Sequence, residues 1–157
     1  MNCTLRTPQA IDFEAIASWV TNREACLSWA GPRLPFPFSA PDLPALLSVA
    51  DGESLCLAEG SARPYGFGQF WVSTPGAVHL GRIIVAPTMR GRGFGRTLCR
   101  QLIAEAVLQT GARRITLRVY RDNLAAIALY LGLGFSAVES ESTGEVFFMS
   151  TAPGFSR

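Results

Sequence analysis

Ile83-Ile84-Val85-Ala86-Pro87-Thr88-Met89-Arg90-Gly91-Arg92-Gly93-Phe94-Gly95-Arg96 is the stretch on which the fold turns. Ile83, Ile84 and Val85 are β-branched and read as the end of a strand. After the glycines, Phe94, Leu98, Leu102 and Ala106 recur every four residues, with Ile103 beside them. That spacing predicts a helix over 91–109 with one apolar face. Between strand and helix lie glycines and arginines in alternation. The first N–H groups of a helix have no internal partner, and the helix dipole favours an anion there. Glycine has no Cβ, so the backbone can approach a phosphate closely, and arginine adds charge-assisted hydrogen bonds at the rim. The loop is therefore expected to cradle a pyrophosphate. The bland alternative is a flexible turn with solvated arginines.

Working outward, residues 77–85 read as the strand that feeds the loop, and 114–120 as the next strand, with Ile115, Leu117 and Val119 on one face. A strand–helix–strand step of this kind makes its two strands parallel. Upstream, 54–59 and 65–73 read as strands joined by turns, which with 77–85 give an antiparallel meander. Residues 2–7 suit a first strand, 10–22 a helix, and 42–50 a short helix. The segment 29–38 is aromatic but rich in proline, which forbids a regular helix. Downstream, 123–133 reads as a helix ending near Gly134, and 135–139 and 145–150 as a closing strand pair. The expected class is α+β, with a mixed, mostly antiparallel sheet, in one domain over 1–157.

The loop lacks the Lys-Ser/Thr of a P-loop, and glycines at 91, 93 and 95 do not fit G-x-G-x-x-G. Apolar residues are 48% of the 157-residue chain and charged residues 17%, which fits a globular domain. Net charge is only +2, too little to argue for nucleic acid. Cys3, Cys26, Cys56 and Cys99 form no CxxC pair and read as free thiols, and His79 is the only histidine, so no metal is expected. No apolar run is long enough to span a membrane and the N-terminus has no apolar leader core, so a cytoplasmic protein is expected.

Arg90-x-x-Gly93-x-Gly95 resembles the Q/R-x-x-G-x-G/A signature of the GNAT superfamily, the GCN5-related N-acetyltransferases. Asn123-x-x-Ala126-x-x-x-Tyr130-x-x-x-Gly134-Phe135 is similar to that family's second conserved stretch, and the two occur in the family's order. The clear resemblance covers roughly residues 78–135. It implies the GNAT-type fold, with helices on both sheet faces and a parallel strand pair that splays. It also implies an N-acetyltransferase using acetyl-CoA (coenzyme A) as co-substrate and an amine-bearing acceptor, a small molecule or a protein amine, by direct attack in a ternary complex. No metal, nucleic acid or membrane is implied, and the state is a monomer or homodimer.

Residue by residue, the resemblance assigns the pyrophosphate to the backbone of Arg90, Gly91, Arg92, Gly93, Gly95 and Arg96, and the pantetheine arm to Ile83, Ile84 and Val85. Asn123 would touch that arm or cap its helix. Tyr130 matches the family's general acid, its alternative being a packed core tyrosine. His79 stands near where some members carry a glutamate base, and its ordinary pKa of about 6.5 would suit that role; a structural histidine, or Glu139, Glu141 or Glu145 acting through water, are the alternatives. Cys99 reads as core rather than as a nucleophile. Trp19, Trp29 and Phe36 fall where acceptors are shaped in this fold. Two other function classes remain open on the sequence: an acyl-CoA sensor without catalysis, and an RNA-binding module using the Arg/Gly loop.

Overall fold

The computed structural model describes residues 2–153. The chain runs β1 (Thr4–Arg6), α1 (Ala10–Trp19), α2 (Arg23–Ala30), α3 (Leu43–Leu46), β2 (Gly52–Ala58), β3 (Gly66–Thr74), β4 (Ala77–Val85), α4 (Phe94–Thr110), β5 (Arg114–Tyr120), α5 (Leu124–Gly132), β6 (Ser136–Ala137) and β7 (Val146–Thr151). The strands form one sheet in the order β1-β2-β3-β4-β5-β7-β6, antiparallel throughout except for the parallel pair β4–β5. This is the mixed, mostly antiparallel α+β architecture expected of the sequence.

Period-two alternation places a different core on each face. Leu55, Leu57, Phe70, Val78, Leu80, Ile115, Leu117 and Met149 pack with Phe94, Leu98 and Leu102 of α4 and Tyr130 of α5. Cys56, Phe67 and Ile84 point the other way and pack with Phe13 and Ile16 of α1, Cys26 of α2 and Leu43 of α3. Ile115, Leu117 and Val119 are all buried, as their alternation predicts.

The sequence reading merged or missed some elements. α2 was not expected, although its signals stand in the chain. Asn22 caps it by accepting from Ala25 N at 2.7 Å, and Gly31, at φ 78°, stops it. The expected helix 10–22 ends at Trp19 because the backbone turns extended at Val20 before this cap. The strand expected over 135–139 keeps only Ser136–Ala137; a single turn of 3₁₀ helix, Glu139–Glu141, follows.

Two irregularities in β4 shape what lies beside it. Phe67 pairs with Ile84 and Gln69 with Gly81, so β4 carries one more residue than β3 between these rungs. The extra residue is Arg82, at φ 49°. This bulge reverses the alternation, so Ile83 and Val85 face the same side as Leu80. On the other edge, β4 pairs with β5 only from Ala77↔Arg114 to Leu80↔Leu117. Beyond that rung the strands part.

Candidate active site

The fork opens into a cleft of about 1040 Å³ that passes through the sheet. On one side α1 and α2 contribute Trp19 and Trp29; on the other α4 and α5 contribute Gly95, Asn123, Leu129 and Tyr130. Ile83, Ile84 and Val85 form the wall between them, and Arg90 and Gly91 stand at one end.

The turn at that end is open backbone. Gly91 and Gly93 have φ of 75° and 87°, which side-chain-bearing residues rarely adopt, and nothing lies within 4 Å of where a Cβ would stand on either. Gly95 has a packing reason instead. A Cβ there would meet Leu129 at 3.3 Å and Val85 at 3.7 Å, so its absence lets α4 start against α5 and β4. Among the described residues, no backbone N–H from Arg90 to Arg96 donates to a protein acceptor. Unpaired amides at the start of the longest helix, on an open backbone surface, fit the diphosphate of coenzyme A. Arg90 instead uses Nε to hold the Val85 carbonyl at 3.1 Å, closing the end of β4. Arg92, Gly93 and Arg96 do not line the cleft.

Asn123 caps α5, its side chain accepting from Ala126 N at 3.3 Å, and still lines the cleft. Gly134, at φ 98°, ends the same helix, and the Phe135 N–H returns to the Tyr130 carbonyl at 3.0 Å. The Phe135 ring then packs edge-on against Tyr130, with centroids 6.0 Å apart. The Gly-Phe pair thus fixes the tyrosine ring from behind. Tyr130 is buried and its hydroxyl is bonded to no protein group. Burial, with Cys99 beside it, pushes its pKa well above the ordinary phenol value, so it holds its proton. Cys99 is fully buried in the core, its pKa pushed up to about 12 by burial, which leaves no thiolate for nucleophilic attack.

His79 lies elsewhere. Its ring sits on the α1–α2 face of the sheet, one rung before the fork, in a separate hollow of about 340 Å³ lined by Trp71, Thr116, Arg114, Arg118, Glu141 and Phe148. None of these lines the larger cleft. Nδ1 is 2.8 Å from Thr116 Oγ1, and the ring packs against Trp71 at 5.2 Å and Phe148 at 6.1 Å. Burial, and then the positive charge of Arg118, lower its pKa to about 4, so it is neutral at pH 7 and a far weaker proton acceptor than an ordinary histidine. Of the glutamates weighed against it, Glu139 pairs with Arg121 and Glu141 with Arg114, while Glu145 lines neither the cleft nor this hollow. Of the expected acceptor residues, Trp19 and Trp29 line the cleft. Phe36 does not; it packs on Phe38 at 5.9 Å, with Arg23 over its ring. The hollow over His79 was not foreseen. Its signal was the polar face of β5, where Thr116 and Arg118 alternate with the apolar core residues.

A strand that forks from its parallel neighbour, with an amide-rich helix start at the fork's open end, is the arrangement of an acetyltransferase fold. The chain belongs to the acetyltransferase (GNAT) family, whose model matches residues 23–135. Over 59 residues it is 41% identical to an uncharacterized N-acetyltransferase, YobR of Bacillus subtilis (strain 168). That match covers 38% of this chain and 24% of the curated relative's length. Spermidine N-acetyltransferase from Vibrio cholerae, solved with CoA and spermine, has a TM-score of 0.75 at 22% identity, over 96% of this chain and 95% of that one. The ribosomal-protein-S18-alanine N-acetyltransferase from Escherichia coli has a TM-score of 0.69 at 22% identity, covering 99% and 97%. At such identities the two structures share the fold. Among the described residues no cluster of His, Cys, Asp or Glu could hold a metal ion, and no helix is long and apolar enough to cross a membrane.

Proposed function

We propose that this protein transfers an acetyl group from acetyl-CoA to an amine by direct attack while both substrates are bound. The observation that carries the reading is the unpaired backbone from Arg90 to Arg96 at one end of a cleft that has Tyr130 on its wall. Acetyl-CoA, when bound, supplies the chemistry: its thioester carbon accepts the amine nitrogen as the C–S bond breaks, the nitrogen sheds one proton to solvent and the sulfur gains one, giving an amide and a thiol.

This chain's residues do the rest. The amides of Arg90, Gly91, Arg92, Gly93, Gly95 and Arg96 hold the diphosphate. Ile83, Ile84 and Val85, on the β4 edge that β5 leaves unpaired, align the pantetheine amides as a neighbouring strand would. Asn123 borders that arm. Tyr130 keeps a proton on a hydroxyl with no protein partner and delivers it to the departing sulfur. Trp19 and Trp29 exclude water from the α1–α2 side. His79, in the tautomer that donates Nδ1–H to Thr116, presents the Nε2 lone pair one rung from the fork. With so low a basicity it orients a neutral amine rather than deprotonating an ammonium. Most of the rate then comes from holding the reactants together.

The test is a thermal melt with acetyl-CoA. At about 100 times its dissociation constant a native-state ligand stabilises by about 2.7 kcal/mol, roughly 5–10 °C for a domain of this size. A melting point unmoved by acetyl-CoA, with no coenzyme A released in the presence of any amine, refutes the reading.

A further inference from the structure

We propose that the hollow over His79 is the acceptor pocket and that it selects an amine carrying a carboxylate, which Arg118 binds. The inference rests on the acyltransferase reading above and adds the chemical class of the acceptor.

Position is the first argument. The hollow adjoins the fork on the face covered by α1 and α2. His79 pairs with Thr116 in the rung before the last, Leu80↔Leu117. Arg118 is the first residue of β5 past that rung, and Gly81 its counterpart on β4. A Cβ on Gly81 would strike the Trp71 ring at 2.4 Å, so the indole lies against the strand at the point where it parts. The same indole packs on His79. Trp71 is thus one wall running from the hollow to the fork, and a small molecule seated on it can reach the cleft with its amine. About 340 Å³ is at the lower end for small-molecule sites and suits a compact acceptor.

Charge is the second argument. Three ion pairs occur among the described residues, and only one involves this hollow: Arg114 with Glu141. Arg118 is exposed, stands 4.9 Å from the Phe148 ring centroid and has no carboxylate partner. Arg82, on β4 at the fork, donates to Gln69 Oε1 at 2.8 Å, but its Nε is buried without a partner, and the charge that bears on it is Arg33, another cation. Two guanidiniums on this side of the fork, those of Arg82 and Arg118, thus stand without a carboxylate partner. A polycation would meet repulsion here. A carboxylate would meet a guanidinium whose planar donors match it in a bidentate pair, above an aromatic floor that takes an apolar side chain. The Vibrio cholerae relative was solved with spermine; this pocket has the opposite preference.

The experiment compares amino acids, their amides and spermidine as acceptors, following coenzyme A release. The chain contains no lysine, so no lysine of the enzyme competes for acetyl groups. The best amino acid is expected to exceed its own amide in kcat/KM by on the order of 10-fold or more, the worth of one charged hydrogen-bonded contact. Arg118→Gln abolishes that ratio through KM, and Arg118→Glu shifts preference to amides and spermidine, while the acetyl-CoA melting shift persists in both. A second readout uses the single histidine. The groups facing it are Arg114 and Arg118 of β5, Glu141, and the neutral rings of Trp71 and Phe148. Saturating N-acetyl amino acids should neutralise Arg118 and raise the His79 titration midpoint seen by NMR, and Arg118→Gln should raise it without ligand. If spermidine is the best acceptor, or if the acid-to-amide ratio survives both substitutions, the pocket assignment falls and the acyltransferase reading stands. If acetyl-CoA neither binds nor is consumed, both fall. If acetyl-CoA binds but no acceptor in the panel reacts, a His79 resonance unmoved by the carboxylates overturns the pocket.

Discussion

The indole N–H of Trp29 donates to the carbonyl of Arg82 at 2.8 Å. One is the penultimate residue of α2; the other is the bulged residue of β4 where the strands begin to part. The bond ties the helix to the strand at the fork and gives a polar group of the bulge its partner. Trp29→Phe keeps the ring and removes the donor. It should cost about 1 kcal/mol of stability, read from denaturant melts, and raise the KM for acetyl-CoA or acceptor with a smaller change in kcat. Wild-type stability and KM would show that the bond positions nothing.

Tyr130 is predicted to act in the transition state and not in binding. Tyr130→Phe should lower kcat by about 10²-fold while the acetyl-CoA melting shift is retained. Because burial holds the phenol protonated, wild-type activity should show no alkaline loss attributable to this residue up to at least pH 10. Unchanged turnover in the variant would remove Tyr130 from the mechanism.

His79 gives a pH signature. Its folded pKa, about 4, lies below the ordinary 6.5. A histidine kept neutral by folding stabilises the native state fully above pH 6.5. That stability is lost as pH falls from about 6.5 towards 4, because the unfolded chain takes up the proton first. The loss amounts to at most roughly 3 kcal/mol. His79→Gln should flatten stability over this window. In kinetics, kcat/KM should rise with pH towards the acceptor's own amine pKa; a limb near pH 6.5 that disappears in His79→Gln would instead make His79 an ordinary titrating base.

Asp12 and Arg6 carry a prediction about stability alone. Asp12 is fully buried, receives two guanidinium bonds from Arg6, and accepts the Gln9 N–H at 2.7 Å to cap α1. Burial pushes its carboxyl up, but Arg6 and the Gln9 N–H outweigh this and leave it below the usual range. Asp12→Asn leaves Arg6 without its counter-charge and should cost about 3–5 kcal/mol. The wild type should lose this contribution only as pH falls through the lowered Asp12 pKa. An equally stable variant, with acetyl-CoA binding intact, would contradict this account.

Much of this architecture could be read before any coordinates. β4, β5 and α4 carry strong periodicity, α4 stops at Gly111, and all three sit where alternation and four-residue spacing put them. α2 escaped because it is short and buries only Cys26 fully, so no repeated apolar face shows; Asn22 and Gly31 mark its ends. The left-handed turns at Gly91 and Gly93 before α4 were legible because they are backbone features, written in glycines. That Tyr130 and Asn123 share one helix that borders the cleft was legible through the resemblance of that stretch to the family's. The hollow over His79 was not, because it joins Trp71, His79, Arg118 and Phe148 from four strands. Their proximity depends on register, which a single sequence does not display. The same is true of the low basicity of His79, which comes from neighbours far away in the chain.

Four rungs, from Ala77↔Arg114 to Leu80↔Leu117, are all the direct strand pairing that joins β1–β4 to β5–β7. The sheet is thus two panels sharing a short zip. Adding even two rungs would fasten the panels at Arg82 and shut the passage between the helix layers. The bulge at Arg82 skews the edge of β4 just where the next rung would form. It therefore works as the stop that keeps the zip from running to its end.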